Sequence, residues 1–425
     1  MAGLPKLRLS QGSPCFTLKR MTAPRTIAVL GLGRMGTAIA TRLAEHAQND
    51  GHEPADNHDH PHRVVAWTRS GPPTTTGGAV ETTDDPTTAV ANADVVLLAL
   101  FDGRACREVV DRVRAWLRPD AIVLNTSTIA PAEASALARE LGAAYVHAPV
   151  LGSVPAVAAG TLDILAGGDP DTLDRVRPVL ATLGTVRPVA DAGTAAALKL
   201  IANSSLAGGV LTLREALRQG DALGLPRAEV LDVLELGLLG GLVARKRAIL
   251  AGADDPAAAG GAQFTIAALA KDLALLAAAS GTPLRSAADL AGTPADPEAD
   301  IAVAALAPAV ADAVLEPLRA YIRGHATGDP AHFRAAFLPT AHVEGIRDGA
   351  FVSWGLDEYC ALFPGRPAPD EPTRSRRIDT VDVHGTVATA TMTLRHGADT
   401  FTDVFLLTHV DEKWRITNKA YHRHP

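Results

Sequence analysis

Two sets of residues in this chain are spaced for chemistry. The first is Gly31-Leu32-Gly33-Arg34-Met35-Gly36, a GxGxxG run. In such a run the first glycine permits a tight turn, the second lets a pyrophosphate approach the backbone, and the third brings a helix close to a strand. The second set is Lys199 and Asn203, inside a segment, 194–223, that reads as one long helix. Positions four apart share a helical face, so one substrate oxygen can contact both. Reduction of a carbonyl by hydride requires a proton for the developing alkoxide, and oxidation of the alcohol requires that proton to leave. A partly desolvated lysine, its pKa lowered toward neutrality, serves either direction. Asn203 would hold the oxygen in line with a nicotinamide.

These residues need elements to hold them. Residues 26–30 form a short β-branched and aliphatic run directly before the glycines, and an amphipathic helix follows through about Ala47. The helix start offers free N–H groups and the positive end of its dipole to phosphate. Leu32, Arg34 and Met35 therefore join Gly31, Gly33 and Gly36 as expected cofactor contacts. Further apolar runs at 64–67, 95–100, 122–124 and 145–150 alternate with helical stretches, which predicts βαβ crossovers and a mainly parallel sheet. Leu100, closing the run 95–100, is a further expected cofactor contact. The second strand runs into Thr68-Arg69-Ser70. A cation and two hydroxyls there, without a carboxylate, favour the 2'-phosphate of NADP(H) over NAD(H).

Past residue 191 the texture becomes helical, with segments 194–223, 227–236, 242–251 and 264–280, and the prolines and acids of 291–299 read as a flexible connection. From 309 the order changes again: two helices, a strand, a helix at 356–363, and alternating strands at 380–383, 387–394 and 401–408. The expected organisation is a disordered tail at 1–24, an α/β Rossmann NADP-binding domain at 25–190, an all-α helical domain at 191–306, and a separate α+β domain at 307–425.

Composition narrows the partners. The 425 residues carry a formal charge of -7 and no long basic block, so nucleic acid is not an expected partner. The longest uncharged stretch, 141–162, is interrupted by His147, Pro149, Pro155 and several glycines, and fails as a membrane span. Cys15, Cys106 and Cys360 are dispersed without a CxxC pair, which fits a reducing cytoplasm and argues against a cysteine metal site. An insertion at 46–62 holds His46, His52, His58, His60 and His62 beside Asp50, Asp56 and Asp59. Rich in Asn, Gly and Pro and without a rigid frame, it reads as a solvated loop, and no metal site is expected.

In this order the motifs resemble the β-hydroxyacid dehydrogenase family, which includes 3-hydroxyisobutyrate, tartronate semialdehyde and 6-phosphogluconate dehydrogenases. After the glycine loop, Asn125-Thr126-Ser127-Thr128-Ile129 with Pro131 is similar to the family's Ser-Thr-Ile segment near the nicotinamide. His147-Ala148-Pro149-Val150-Leu151-Gly152-Ser153 stands in the place of its substrate-binding Asp-Ala-Pro-Val-Ser-Gly-Gly. The segment 193–203 supplies Lys199 and Asn203 at the positions of the catalytic lysine and its asparagine partner, and Lys271-Asp272-Leu273 matches the Lys-Asp-Leu signature. Over 26–306 the resemblance implies catalysis by Lys199 and Asn203, cofactor contacts from Thr128 and Lys271, substrate contacts from Ser127, Gly152 and Ser153, and a homodimer packed through the long helix. That helix, about 45 Å at 1.5 Å per residue, is also too long for one small helical domain to cover. Leucine at 151 and histidine at 147 depart from the pattern, removing an anion contact and adding apolar volume. A larger or less acidic carbonyl, or an imine, becomes open as substrate, although related imine reductases generally lack the lysine. A noncatalytic, cofactor-responsive ligand-binding role is the other reading.

Residues 309–425 resemble the nuclear transport factor 2-like superfamily, in its lumazine-binding-like and SnoaL-like branches. The match rests on Tyr321-Ile322-Arg323-Gly324 with Gly328-Asp329, a helix at 333–337, the segment 378–385, Phe401-Thr402-Asp403, and Lys413-Trp414-Arg415-Ile416 with Asn418-Lys419. The resemblance implies a cone with a curved sheet around a pocket. Polar candidates for it are His342, Tyr359, Asp403, His409 and Tyr421. A proton-transfer pair and polar groups that merely satisfy hydrogen bonds both fit. Trp354 and Trp414 read as core.

Overall fold

The computed structural model describes residues 26–49, 63–69, 71, 79–252, 262–291, 293, 295–306, 312–347 and 349–424. The expected tail, Ser70 and the insertion from Asp50 to His62 lie outside them. The chain forms two compact units, one of residues up to 202 with 278–280, the other of 203–277 with 281 onward.

The first unit is built on nine strands, β1 (Thr26–Leu30), β2 (Arg63–Trp67), β3 (Val80–Thr83), β4 (Val95–Leu98), β5 (Ile122–Asn125), β6 (Tyr145–His147), β7 (Val150–Leu151), β8 (Leu162–Gly168) and β9 (Gly184–Pro188). Their order begins β3-β2-β1-β4-β5-β6, all parallel, and continues through β8, which pairs antiparallel with β6 and β7 and parallel with β9. This is the doubly wound order, whose direction reverses between β1 and β4. Continuous apolar runs such as Val95-Val96-Leu97-Leu98 suit strands buried on both faces. Alternation sends Ile27, Val29, Val95 and Leu97 into one core, and Ala28, Leu30, Val96 and Leu98 into the other. The run 145–150 is not one strand, because Ala148-Pro149 interrupts it and Pro149 has no N–H for a ladder. Helices are started by carboxylates: Asp102 accepts from Ala105 N at 2.7 Å and Asp169 from Thr172 N at 3.0 Å.

The long helix is Ala192–Ala222, and by length and composition it is the one described helix able to span a membrane. Its Ala207, Val210, Leu213 and Leu217 instead pack with Leu231, Val243, Leu250, Leu269, Leu273 and Ile301 in the second unit, joining helices Arg227–Glu235, Gly240–Leu250, Ile266–Ser280 and Ile301–Ala305. The end of the segment expected as a flexible connection is hydrogen-bonded to the helix start at Ile266 and Ala267. Ile266 N donates to Ala299 O at 3.0 Å and Ala267 N to Pro297 O at 2.8 Å. Next to it, buried Asp300 lies 2.7 Å from Lys246 Nζ and accepts from Gln263 N at 2.9 Å and Ala302 N at 3.0 Å.

The same unit contains an α+β fold with its own core. Helices Asp312–Thr327 and Pro330–Ala336 precede β10 (Phe337–Arg347) and β11 (Ala350–Gly355). After helix Leu356–Cys360 come β12 (Ser375–His384), β13 (Val387–His396), β14 (Asp399–Val410) and β15 (Lys413–His424). The order is β11-β10-β15-β14-β13-β12, antiparallel except for the β10–β15 pair. Irregular registers in β10, β12 and the β14–β15 pair bend this sheet. One face carries Ala390, Met392, Leu394, Phe405, Leu407 and Ile416, packed with Tyr321, Phe333 and Phe337.

Candidate active site

The glycine loop has the three roles its spacing demands. Gly31 sits at φ +106° with Ala99 O only 2.5 Å from where a Cβ would lie, so no other residue fits. At Gly36 a Cβ would stand 1.8 Å from Gly31 O, because the helix Arg34–Asn49 crosses β1 closely. Around Gly33 nothing lies within 4 Å of a Cβ position, and the residue is exposed. That open backbone at the start of a helix is a cradle for pyrophosphate, which a side chain would fill. Gly31 N donates to Trp67 O at 2.8 Å and Thr37 Oγ1 to Leu32 O at 3.0 Å, fixing the turn. Leu32 is buried, Met35 packs on the core and Arg34 is exposed. Thr68 and Arg69 follow β2 directly, Arg69 extending into solvent.

The other strand ends converge by hydrogen bonding. Leu100 N, just past β4, donates to Ser127 Oγ at 2.9 Å, which ties an expected cofactor contact to an expected substrate contact. Ser127 N donates to Asn125 Oδ1 at 2.9 Å. This fixes the Asn125 amide, whose Nδ2 donates to Tyr145 OH at 3.1 Å, and Tyr145 OH lies 3.2 Å from His147 Nδ1. His147 is fully buried and its Nε2 has no partner. Burial lowers its pKa to about 3, so the imidazole is neutral. Replacing the family's acid here removes a negative charge without adding a positive one. Thr128 is partly exposed, Gly152 is exposed at φ +132°, and Ser153 begins the helix Val154–Ala159.

Lys199 is partly exposed and Asn203, one turn on, is 4% exposed. Asn203 Nδ2 donates to Asp272 Oδ2 at 2.6 Å, and Lys271 Nζ lies 2.7 Å from Asp272 Oδ1. The buried Asp272 carboxylate therefore faces an amide on one oxygen and an ammonium on the other. It holds Asn203 in one orientation, with Lys271, its neighbour on helix Ile266–Ser280, beside it. The sequence reading assigned no role to Asp272, although it stands in the Lys-Asp-Leu motif. It assigned no role to Asn125 either, which opens the Asn-Thr-Ser-Thr-Ile motif, or to Tyr145, the first residue of β6. Of the cone candidates, Tyr359, Asp403 and Tyr421 face the interior, whereas His342 and His409 are exposed, the latter against the Trp414 ring at 5.3 Å. The buried Tyr321 and Lys419 and the half-buried His325 were not among those candidates. Trp414 is core, and Trp354 stacks on Tyr421.

A doubly wound sheet with this glycine cradle defines an NAD(P)-binding oxidoreductase unit. Residues 26–194 match the NAD binding domain of 6-phosphogluconate dehydrogenase, and residues 309–422 match a putative lumazine-binding family. The chain is 34% identical over 216 residues to a probable 3-hydroxyisobutyrate dehydrogenase of Mycobacterium tuberculosis, covering 49% of this chain and 68% of that protein. It is 30% identical over 219 residues to an NAD-dependent L-serine dehydrogenase of Pseudomonas aeruginosa, covering 49% and 69%. The solved structure of Mycobacterium tuberculosis 3-hydroxyisobutyrate dehydrogenase with L-serine aligns at a TM-score of 0.52 and 27% identity, over 66% of this chain and 98% of that one. The chain belongs to the β-hydroxyacid dehydrogenase family, NAD(P)-dependent enzymes acting on CH–OH groups, and its C-terminal α+β fold is the part that the putative lumazine-binding family model covers.

Proposed function

We propose that the protein is an NADP(H)-dependent oxidoreductase that interconverts a carbonyl and its alcohol with Lys199 as the proton donor and acceptor. The observation that carries this reading is the Asp272-held amide of Asn203 one helical turn from Lys199. When bound, the nicotinamide supplies or accepts the hydride. Lys199 Nζ delivers the proton to the substrate oxygen in reduction and removes it in oxidation, while Asn203 orients that oxygen. Gly33 and the first N–H groups of helix Arg34–Asn49 bind the pyrophosphate, and Arg69, free of any neighbouring carboxylate in sequence, binds the 2'-phosphate. Leu32, Leu100, Thr128 and Lys271 complete the cofactor contacts, and Ser127, Gly152 and Ser153 those of the substrate.

Neutral His147 and Leu151 supply no charge to that substrate region, which favours a substrate less anionic or bulkier than a short hydroxy acid. The protein works as a homodimer: Leu198 and Ile201 on the long helix, with Leu236 and Leu238 beyond it, are exposed apolar residues. Buried free thiols at Cys106 and Cys360 are compatible with a reducing cytoplasm. The test is oxidation of NADPH and NADH against aldehydes, keto acids and cyclic imines. Turnover of a carbonyl compound with NADPH at higher kcat/KM than with NADH is expected; oxidation of neither cofactor with any compound would overturn the reading.

A further inference from the structure

A buried line of polar side chains joins the ends of three parallel strands in the first unit, β4, β5 and β6. Past the end of β4 the tie to β5 passes from main chain to side chain: Thr126 N donates to Leu98 O at 2.9 Å, but Leu100 N donates to the Ser127 hydroxyl at 2.9 Å. Ser127 N donates to Asn125 Oδ1 at 2.9 Å, which turns Asn125 Nδ2 toward Tyr145 OH at 3.1 Å, and Tyr145 OH lies 3.2 Å from His147 Nδ1. Asn125, Ser127, Tyr145 and His147 are all buried, and the buried Cys106 thiol packs on the Asn125 amide with 3.6 Å between Sγ and Nδ2. At such burial each group depends on its neighbours in the line for its hydrogen bonds.

The protons of this line can be assigned. Tyr145 O accepts from Asn125, and burial keeps the hydroxyl protonated by raising its pKa. With the His147 proton on Nδ1, both the Tyr145 O–H and His147 Nε2 would lack partners. With the proton on Nε2, the Tyr145 O–H donates to Nδ1 and only the Nε2–H is unmatched. One unsatisfied buried group costs less than two, which decides the tautomer. Every bond then runs one way, from Ser127 N–H through Asn125 and Tyr145 to a neutral His147, so that each bond polarises the next. Asn125 cannot turn its amide over without losing both the Ser127 N–H and the Tyr145 oxygen.

The place of the line gives it a use. With the pyrophosphate at Gly33 after β1 and the 2'-phosphate at Arg69 after β2, the other half of a dinucleotide crosses the reversal between β1 and β4 and extends toward the ends of β4, β5 and β6. Leu100, Ser127 and Thr128 stand at those ends. We propose that Tyr145 and His147 are positioning residues for the nicotinamide half of the cofactor, acting through Asn125 and Ser127. The inference rests on the cofactor binding of the proposed function and not on Lys199, because its test is made with no carbonyl compound present.

The experiment is calorimetric titration of the full chain with NADPH and with 2'-phospho-ADP-ribose, which lacks the nicotinamide. The unaltered chain should bind NADPH more tightly. Tyr145→Phe and His147→Leu should each weaken NADPH binding at least about fivefold and leave 2'-phospho-ADP-ribose within about twofold. The two changes together should cost no more than either alone, since both cut the same line. His147→Asn, which puts an amide oxygen where Nδ1 stands, should keep NADPH affinity within about twofold of the unaltered chain. Unchanged NADPH affinity in a folded Tyr145→Phe variant, or an equal loss for both ligands, would overturn the proposal; the second result is what a purely structural role gives. Should Tyr145→Phe not fold, His147→Asn against His147→Leu decides the matter in the same way. An unaltered chain that binds neither ligand would overturn the cofactor reading, and the proposal with it.

Discussion

Two buried carboxylates, Asp272 and Asp403, are each held by a lysine, and the difference between them separates two kinds of polar centre. At Asp272 the load is shared: Lys271 faces Oδ1 at 2.7 Å and Asn203 donates to Oδ2 at 2.6 Å. At Asp403, Lys419 and Tyr321 both sit on Oδ2, and the Oδ1 of each carboxylate accepts no hydrogen bond. A carboxylate engaged on both sides is a clamp, suited to fixing another residue's amide. One whose partners share a single oxygen joins β14, β15 and helix Asp312–Thr327 at one point. Lys246 and Asp300 give a third case, a carboxylate saturated by an ammonium and backbone N–H groups, whose work is to pin the helical core.

That comparison can be broken by substitution, and the purely structural pair should respond most. Lys246→Ala leaves Asp300 charged and buried, and should cost about 3–5 kcal/mol in chemical denaturation; a loss under about 1 kcal/mol would show that Asp300 finds another partner. Asp272→Ala should lower kcat about 100-fold by freeing the Asn203 amide, with a smaller change in KM and NADPH affinity. A defect confined to KM would move Asp272 from positioning to ground-state binding. The double change Asp403→Asn with Lys419→Met should leave turnover of carbonyl substrate unaltered and stability unchanged or raised, since it removes a half-satisfied pair; a large fall in melting temperature would make the pair a clamp like Asp272.

A smaller effect is expected in pH dependence, where the two regions agree. His147 is lowered to about 3 and His396 to about 4, both chiefly by burial. Each is favoured neutral in the folded state, so its contribution to stability is present above the unfolded histidine pKa of about 6.5. It is lost as pH falls from there through about 4 for His396 and about 3 for His147. Denaturation series from pH 7 to 4 should show stability declining, and His147→Gln should flatten the slope. An identical slope in that variant would contradict burial of a neutral imidazole.

The glycine cradle was legible in the sequence because its logic is local: six consecutive residues, a strand before and a helix after. Lys199 and Asn203 were legible through the resemblance of 193–203 to the family's lysine–asparagine segment, and their spacing of one helical turn adds a shared face. The partner of Asn203 lies 69 residues away, and no spacing rule reaches it. Lys419 was hidden by a different cause. Trp414 and Ile416 face the core, and strict alternation would then turn Asn418 inward and Lys419 outward. The irregular register between β14 and β15, where Leu406 pairs with Asn418 and Leu407 with Ile416, inverts that phase and places Lys419 inside. The short edge strand β9, mostly exposed and with little apolar alternation, escaped notice because it lacks the pattern that marks a strand. The connection at 291–299 was read as loose on its prolines, yet Pro297 O and Ala299 O accept from the first N–H groups of helix Ile266–Ser280.

The measurement that bears most directly on the oxidoreductase account is steady-state reduction of a carbonyl substrate with NADPH by the Lys199→Ala variant, alongside NADPH binding by the same preparation. The account predicts a fall in kcat of at least about 100-fold with NADPH affinity within about twofold of the unaltered protein. Unchanged turnover with Lys199 removed would contradict it.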